Sequence, residues 1–207
     1  MPCALTVPIG ATSVPVRSQR KHVPAAHANR SHSASGFTQP ELGGAPPDYL
    51  SVYGTLFLVG AMAAARAEDR ATTRAFLQEA DEAARRLGTD ANHMWTAFGP
   101  TNVAIHRVAT AGELGDVQVA ADLGQRIDTR RMPVERRVRH SLEVARALSA
   151  WNRTDEALAK LLEAEQDAPE QIRHHYMSRE LVVGWVRGTR GRPSQPVAEL
   201  ARRLRIV

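Results

Sequence analysis

The spacing of apolar residues changes abruptly near Pro47 and then follows a helical period along the rest of the chain. Apolar positions recur three and four residues apart, and glycines or prolines separate the runs, which is typical of amphipathic helices. Because the connections are short, consecutive helices are expected to be antiparallel neighbours. The predicted helices cover residues 48–66, 70–87, 100–111, 116–127, 134–150, 154–167 and 171–187, followed by a short helix that begins at Pro196.

The predicted helices alternate between two kinds of apolar pattern. The first is apolar on nearly all sides, the second carries a single stripe, and the seventh carries two rows. One row of the seventh helix consists of Met177, Leu181, Gly184 and Trp185. A helix that is apolar on two sides must be covered on two sides. The alternation therefore predicts stacked helix pairs, in which one helix is sandwiched and the other faces outward. Trp95, Trp151 and Trp185 are expected to anchor the core.

A repeated spacing of small and large residues refines this prediction. Ala157, Leu161 and Ala164, followed by Pro169, are typical of the second helix of a tetratricopeptide (TPR) unit, in which small residues allow close helix approach and proline ends the helix. The same spacing recurs at Thr73, Leu77 and Ala80, and more weakly at Ala120, Gly124 and Ile127. The sequence therefore predicts an all-α fold for residues 47–207: a TPR-like α-solenoid of about three to four antiparallel helix pairs.

Residues 1–46 have a different composition. Prolines are interspersed with Ser, Ala, His and Gly, and no period of 3.6 or 2 persists. Such a segment buries too little apolar surface to offset the entropy of ordering, so we predict a disordered, low-complexity segment. Its histidines at positions 22, 27 and 32 are not preorganised as metal ligands by their spacing. No metal or cofactor site is predicted anywhere in the chain.

Charge and cysteine content narrow the function classes. The formal net charge is +5, but residues 1–46 hold four basic side chains against Glu41 alone, so the helical part is close to neutral. Direct nucleic-acid binding is therefore not expected. The single cysteine, Cys3, excludes an internal disulfide framework and favours a cytoplasmic location. Tyr49–Ala65 is uncharged but only at the lower edge of membrane-spanning length. A buried helix of the repeat array is expected there, without membrane attachment.

Four segments carry a resemblance to a known family. They are LSVYGTLFLVGAMAAARAEDRATTRAFLQEADEAARRLG at 50–88, FGPTNVAIHRVATAGELGD at 98–116, RRMPVERRVRHSLEVARALSAWNRTDEAL at 130–158, and YMSRELVVGWVRG at 176–188, continuing into VAELARRLRIV. Together they resemble the C-terminal TPR-like region of bacterial helix-turn-helix transcriptional regulators of the XRE type. In that family an N-terminal helix-turn-helix domain binds operator DNA, and the repeat region senses a ligand or partner or mediates assembly. The resemblance implies the regulatory part of a transcription regulator.

Residues 1–46 depart from the family pattern, because nothing in them reads as a helix-turn-helix. The abrupt change near Pro47 motivates the hypothesis that this segment is translated from a shifted reading frame and that the chain is a truncated product. The C-terminal segment Val197–Leu204 resembles the opening helix of a helix-turn-helix, but no recognition helix follows it. We expect it to be an amphipathic helix that closes the array.

Polar residues at helical spacing predict a ligand or partner groove. Arg139 and Arg146 lie seven residues apart and hence on one face of the fifth helix. Arginines on a concave face can hold a carboxylate or phosphate. The alternative is a solvated polar face in which these arginines pair with acids such as Glu143. The candidate groove residues are Asn102, His106, Arg107, Arg139 and Arg146.

No catalytic motif is present: the sequence has no Gly-x-Ser-x-Gly, P-loop or dinucleotide-binding glycine pattern. The chain is therefore expected to be an interaction or sensor module and not an enzyme. Its expected partners are a peptide, a protein, a second copy of itself or a small signal. The alternative is a TPR-like scaffold or dimerisation module that is unrelated to transcription.

Overall fold

The computed structural model describes residues 44–190 and 192–206. These residues form helices joined by short loops, and no strand occurs among them. The all-α prediction is therefore confirmed for this part of the chain. The predicted disordered segment, with Cys3, lies almost entirely outside the described residues. The α-helices are α1 Pro47–Arg66, α2 Arg70–Leu87, α3 Pro100–Glu113, α4 Val117–Gln125, α5 Val134–Ala150, α6 Thr154–Asp167, α7 Pro169–His174, α8 Tyr176–Gly188 and α9 Gln195–Arg203, with a 3₁₀ turn at His93–Trp95.

Local sequence signals account for most helix boundaries. Proline occupies the first turn of α1, α3, α7 and α9, where its missing N–H leaves no helical hydrogen bond unmade. Asp69 caps α2, because its carboxylate accepts a hydrogen bond from the Thr72 backbone N–H at 2.9 Å. Gly88 ends α2 with φ of +76°, a conformation that glycine adopts without steric cost.

The seventh predicted helix is wrong in one respect, because the structure divides it into α7 and α8. The chain is extended at His175, with ψ of 128°. The Ser178 hydroxyl shares its one proton between the buried carbonyl oxygen of Ile172 and the half-buried carbonyl oxygen of His175, so the acceptors at the break have a donor. The periodic pattern could not register this break, since apolar residues continue on both sides of it.

The helices form a row with a second row beside it. Along the first row α1 contacts α3, α3 contacts α5, and α5 contacts α8. Each of these helices also contacts the helix that follows it in the chain. The pairs are α1 with α2, α3 with α4, α5 with α6, and α8 with α9. Within this row α3 contacts both α1 and α5, and α5 contacts both α3 and α8. An ion pair between Glu113 of α3 and Arg146 of α5 links two members of this row.

Small residues permit the close helix contacts. Ala157, Leu161 and Ala164 are all buried, as are Thr73, Leu77 and Ala80, so the spacing that predicted helix pairing does mark core positions. At Gly124 in α4, an added Cβ would overlap with the Val144 side chain of α5. The α4–α5 contact therefore depends on a missing side chain.

Two expectations about large apolar residues need correction. Trp185 is buried, but Trp95 is 90% exposed on the 3₁₀ turn and anchors no core. The helix α1 is also less buried than predicted, since one of its faces is open to solvent. By length and composition α1 could cross a membrane, with a mean hydropathy of 1.3 and 33% of the tested window buried. A single helix of this kind is weak evidence of a membrane span, because core helices and signal sequences meet the same criteria of length and composition. The cytoplasmic location stays a prediction.

Candidate functional site

Two of the predicted groove residues of α3, Asn102 and His106, lie one turn apart on that helix. Asn102 is buried, and its side-chain oxygen has no hydrogen-bond partner among the described residues. His106 lies one turn later, and its Nδ1 is 2.9 Å from the Asn102 carbonyl oxygen, a contact that requires the proton on Nδ1. Burial lowers the pKa of His106, and the positive charges of Arg136 and Arg139 lower it further. The imidazole is therefore neutral. We call His106, Arg139, Glu143 and Arg146 the polar wall.

Arg139 and Arg146 are held by a shared buried carboxylate. Glu143 is only 3% exposed. Its Oε1 accepts a hydrogen bond from Arg139 Nε at 3.2 Å, whereas its Oε2 lies 2.8 Å from Arg146 Nη2 as an ion pair without hydrogen-bond geometry. Arg146 also reaches Glu113 of α3, with Nη2 at 3.1 Å from Oε1. The alternative in which the arginines pair with neighbouring acids is thus the arrangement in the structure. These guanidinium groups are engaged before any ligand arrives.

Arg107 is separated from the other predicted residues. Its Nη2 lies 3.2 Å from Oδ1 of Asp81 in α2. It lines a different cleft of about 460 Å³ between α2, α3 and α4. The structure therefore joins Arg139 and Arg146 through Glu143 and places His106 near Arg139, whereas Arg107 lies in another cleft. A role for any of the five in binding stays a prediction.

A cleft of about 630 Å³ opens beside this polar wall, between α5, α8 and the start of α9. Its volume is in the range of small-molecule and side-chain pockets. Met177, Leu181, Trp185 and Val197 supply its apolar surface. Trp185 Nε1 donates to the Ser149 hydroxyl of α5 at 2.8 Å, which fixes the indole ring. The floor of the cleft is therefore preformed.

The charges around this cleft differ from those expected of the predicted groove. Its lining includes two exposed carboxylates, Asp155 and Glu180, against one guanidinium, that of Arg146. Arg146 already pairs with Glu113 and Glu143. The local field therefore favours a positively charged group and disfavours the carboxylate or phosphate that the arginines alone would suggest.

Sequence reasoning missed this cleft, although one signal for it was present. The second line of apolar residues in the seventh predicted helix contains Met177, Leu181, Gly184 and Trp185, and it was expected to pack against another helix. In the structure α5 packs against only part of this line. A Cβ added at Gly184 would meet nothing within 4 Å, so the missing side chain leaves the line open.

A scan against protein-family models, a search of curated proteins and a search of solved structures each find no match for this chain.

Proposed function

We propose that residues 47–207 form a TPR-like helical-repeat module that binds a peptide, protein or small signal along α5 and α8. Two features support the solenoid reading. The helices α1, α3, α5 and α8 contact one another in sequence order, and each has a partner helix beside it. Buried small residues recur at the repeat positions of α2, α4 and α6. Stacked helix pairs of this kind offer grooves to extended ligands.

The cleft between α5 and α8 is the observation that carries this proposal. Its apolar floor, with the indole of Trp185 held by Ser149, suits a bulky apolar group. Its two rim carboxylates suit an adjacent positive charge. The best-fitting ligand class is thus an apolar group next to a cation, as in a peptide that carries a large apolar residue beside Lys or Arg.

The resemblance to XRE-type regulators supports a role for this binding in transcription control. In that setting a bound ligand would bias the arrangement of DNA-binding domains supplied by an upstream segment or a partner protein. Translation of the upstream DNA in all three frames tests this part, with a helix-turn-helix expected in one of them. If no frame encodes one, the scaffold or dimerisation function replaces regulation. The exposed apolar face of α1 is the observation that favours that second function.

Selection from a library of random heptapeptides on the full chain tests the binding proposal. We expect enrichment of peptides with a basic residue next to a large apolar one. Gly184→Leu should weaken their binding about tenfold or more, because the new side chain fills the cleft. Ala75→Leu introduces the same side chain on an exposed face of α2 and is the matched control. Enrichment of acidic peptides, or equal binding to the Gly184→Leu variant, would contradict the proposal.

A further inference from the structure

The helix α1 carries a stripe of exposed apolar side chains, which we call the α1 stripe. Tyr49, Val52, Leu56 and Val59 are 48%, 39%, 66% and 61% exposed, and Ala63 continues the line. These positions alternate spacings of three and four residues, which places them on one side of the helix. This is the a/d spacing of a two-helix seam, the pattern by which one helix packs along another.

The position of the α1 stripe in the fold explains why it is bare. The opposite side of α1 is buried against α2 and α3 through residues such as Leu58 and Ala61. In the row formed by α1, α3, α5 and α8, the inner members α3 and α5 have a row neighbour on both flanks. Among the described helices α1 is the end member of that row. The stripe is the flank on which the next row member would sit.

The charges of α1 select an orientation for that neighbour. Between Asp48 in the first turn and Arg66 in the last, α1 has no charged residue. Asp48 Oδ1 lies 2.9 Å from His93 Nδ1 of the same chain, but its side chain stays 63% exposed and can also face a second copy. An antiparallel copy of α1 places Asp48 near Arg66 of the second copy at each end, whereas a parallel copy places like charges together. Antiparallel helices also oppose their macrodipoles favourably. The helix is thus complementary to itself under a two-fold rotation.

We propose that a second copy of this chain docks on the α1 stripe, with the two α1 helices antiparallel. A two-fold axis between residues 57 and 58 sets Leu56 against Val59 of the second copy, and Val52 against Ala63. It also sets the Tyr49 ring beside the Arg66 guanidinium of the second copy, a cation–π arrangement. The stripe spans roughly 21 Å of helix, which is short for a permanent interface, so the dimer forms with a dissociation constant of order micromolar.

Sedimentation velocity on the full chain between about 1 and about 100 µM tests the proposal. We expect a concentration-dependent dimer for the wild type and a monomer for Leu56→Glu and Val59→Glu throughout this range. Val119→Glu, on the exposed side of α4, is the matched control and should dimerise like the wild type. Unchanged far-ultraviolet circular dichroism shows that each variant folds. A monomeric wild type, or equal loss of the dimer in Val119→Glu, overturns the proposal.

Disulfide trapping in a Cys3→Ser background tests the orientation. A mixture of Val52→Cys and Ala63→Cys chains should form a mixed disulfide, and Tyr49→Cys alone should form none. Efficient trapping of Tyr49→Cys without the mixed product overturns the antiparallel arrangement. The proposal is also overturned if the chain stays monomeric and co-sediments with phosphatidylcholine vesicles, since lipid would then be the occupant of the stripe.

Discussion

Replacing Glu143 by Gln removes the charge that holds two arginines on α5. The carboxylate is 3% exposed and lies 3.2 Å from Arg139 and 2.8 Å from Arg146. Removing one partner of a fully buried ion pair costs about 3–5 kcal/mol, because the other charge is left uncompensated. Here the arginine side chains are 37% and 33% exposed and regain part of their hydration. We therefore expect Glu143→Gln to lower the free energy of unfolding by about 2 kcal/mol.

Urea unfolding followed by circular dichroism at pH 7 measures this change, with the slope of the transition unchanged. Glu163→Gln is the control, since Glu163 also pairs with a basic residue three positions away, Lys160 at 2.7 Å, but its side chain is 64% exposed. That exposed pair is expected to contribute about 0–1 kcal/mol. If the two variants lose the same stability, or if Glu143→Gln changes it by less than about 0.5 kcal/mol, the carboxylate does not organise this wall.

Two further predictions concern buried groups. Gly124→Ala should destabilise the fold by about 1–3 kcal/mol in urea titrations, because the added Cβ overlaps with Val144. Gly184→Ala should stabilise α8 by about 0.5–1 kcal/mol, because its added Cβ meets no other atom. Equal effects of the two substitutions would exclude tight α4–α5 packing. Burial lowers the pKa of His106 and His140 below the unfolded value of about 6.5. Stability should therefore be full above pH 6.5 and fall as the pH drops from there toward the folded pKa values. His140→Gln should reduce the pH dependence of the urea midpoint, and an unchanged dependence would refute this assignment.

The sequence predicted only part of the candidate site. Helical spacing correctly placed Arg139 and Arg146 on one face of α5, because a seven-residue separation closes two helical turns. Helical spacing could not show whether these arginines bind a ligand or Glu143, since the burial of the Glu143 carboxylate depends on the helices packed around it. The position of Arg107 beside Asp81 depends in the same way on how α2 and α3 meet.

Local chemistry determined the helices themselves. Prolines in first turns, the Asp69 cap and Gly88 act within a few residues, so boundaries of α1, α2 and α3 follow from sequence alone. The small residues of α6 likewise implied a closely packed partner before that partner was known.

Only the tertiary structure decided where apolar surface stays uncovered. The sequence shows that α1 and the row from Met177 to Trp185 are apolar, and both were expected to be buried. Burial, however, is a property of two surfaces, and a sequence pattern describes one of them. The end position of α1 in its row and the partial cover of α8 by α5 leave a stripe and a cleft in contact with solvent. Both proposals for this protein arise from those two uncovered surfaces.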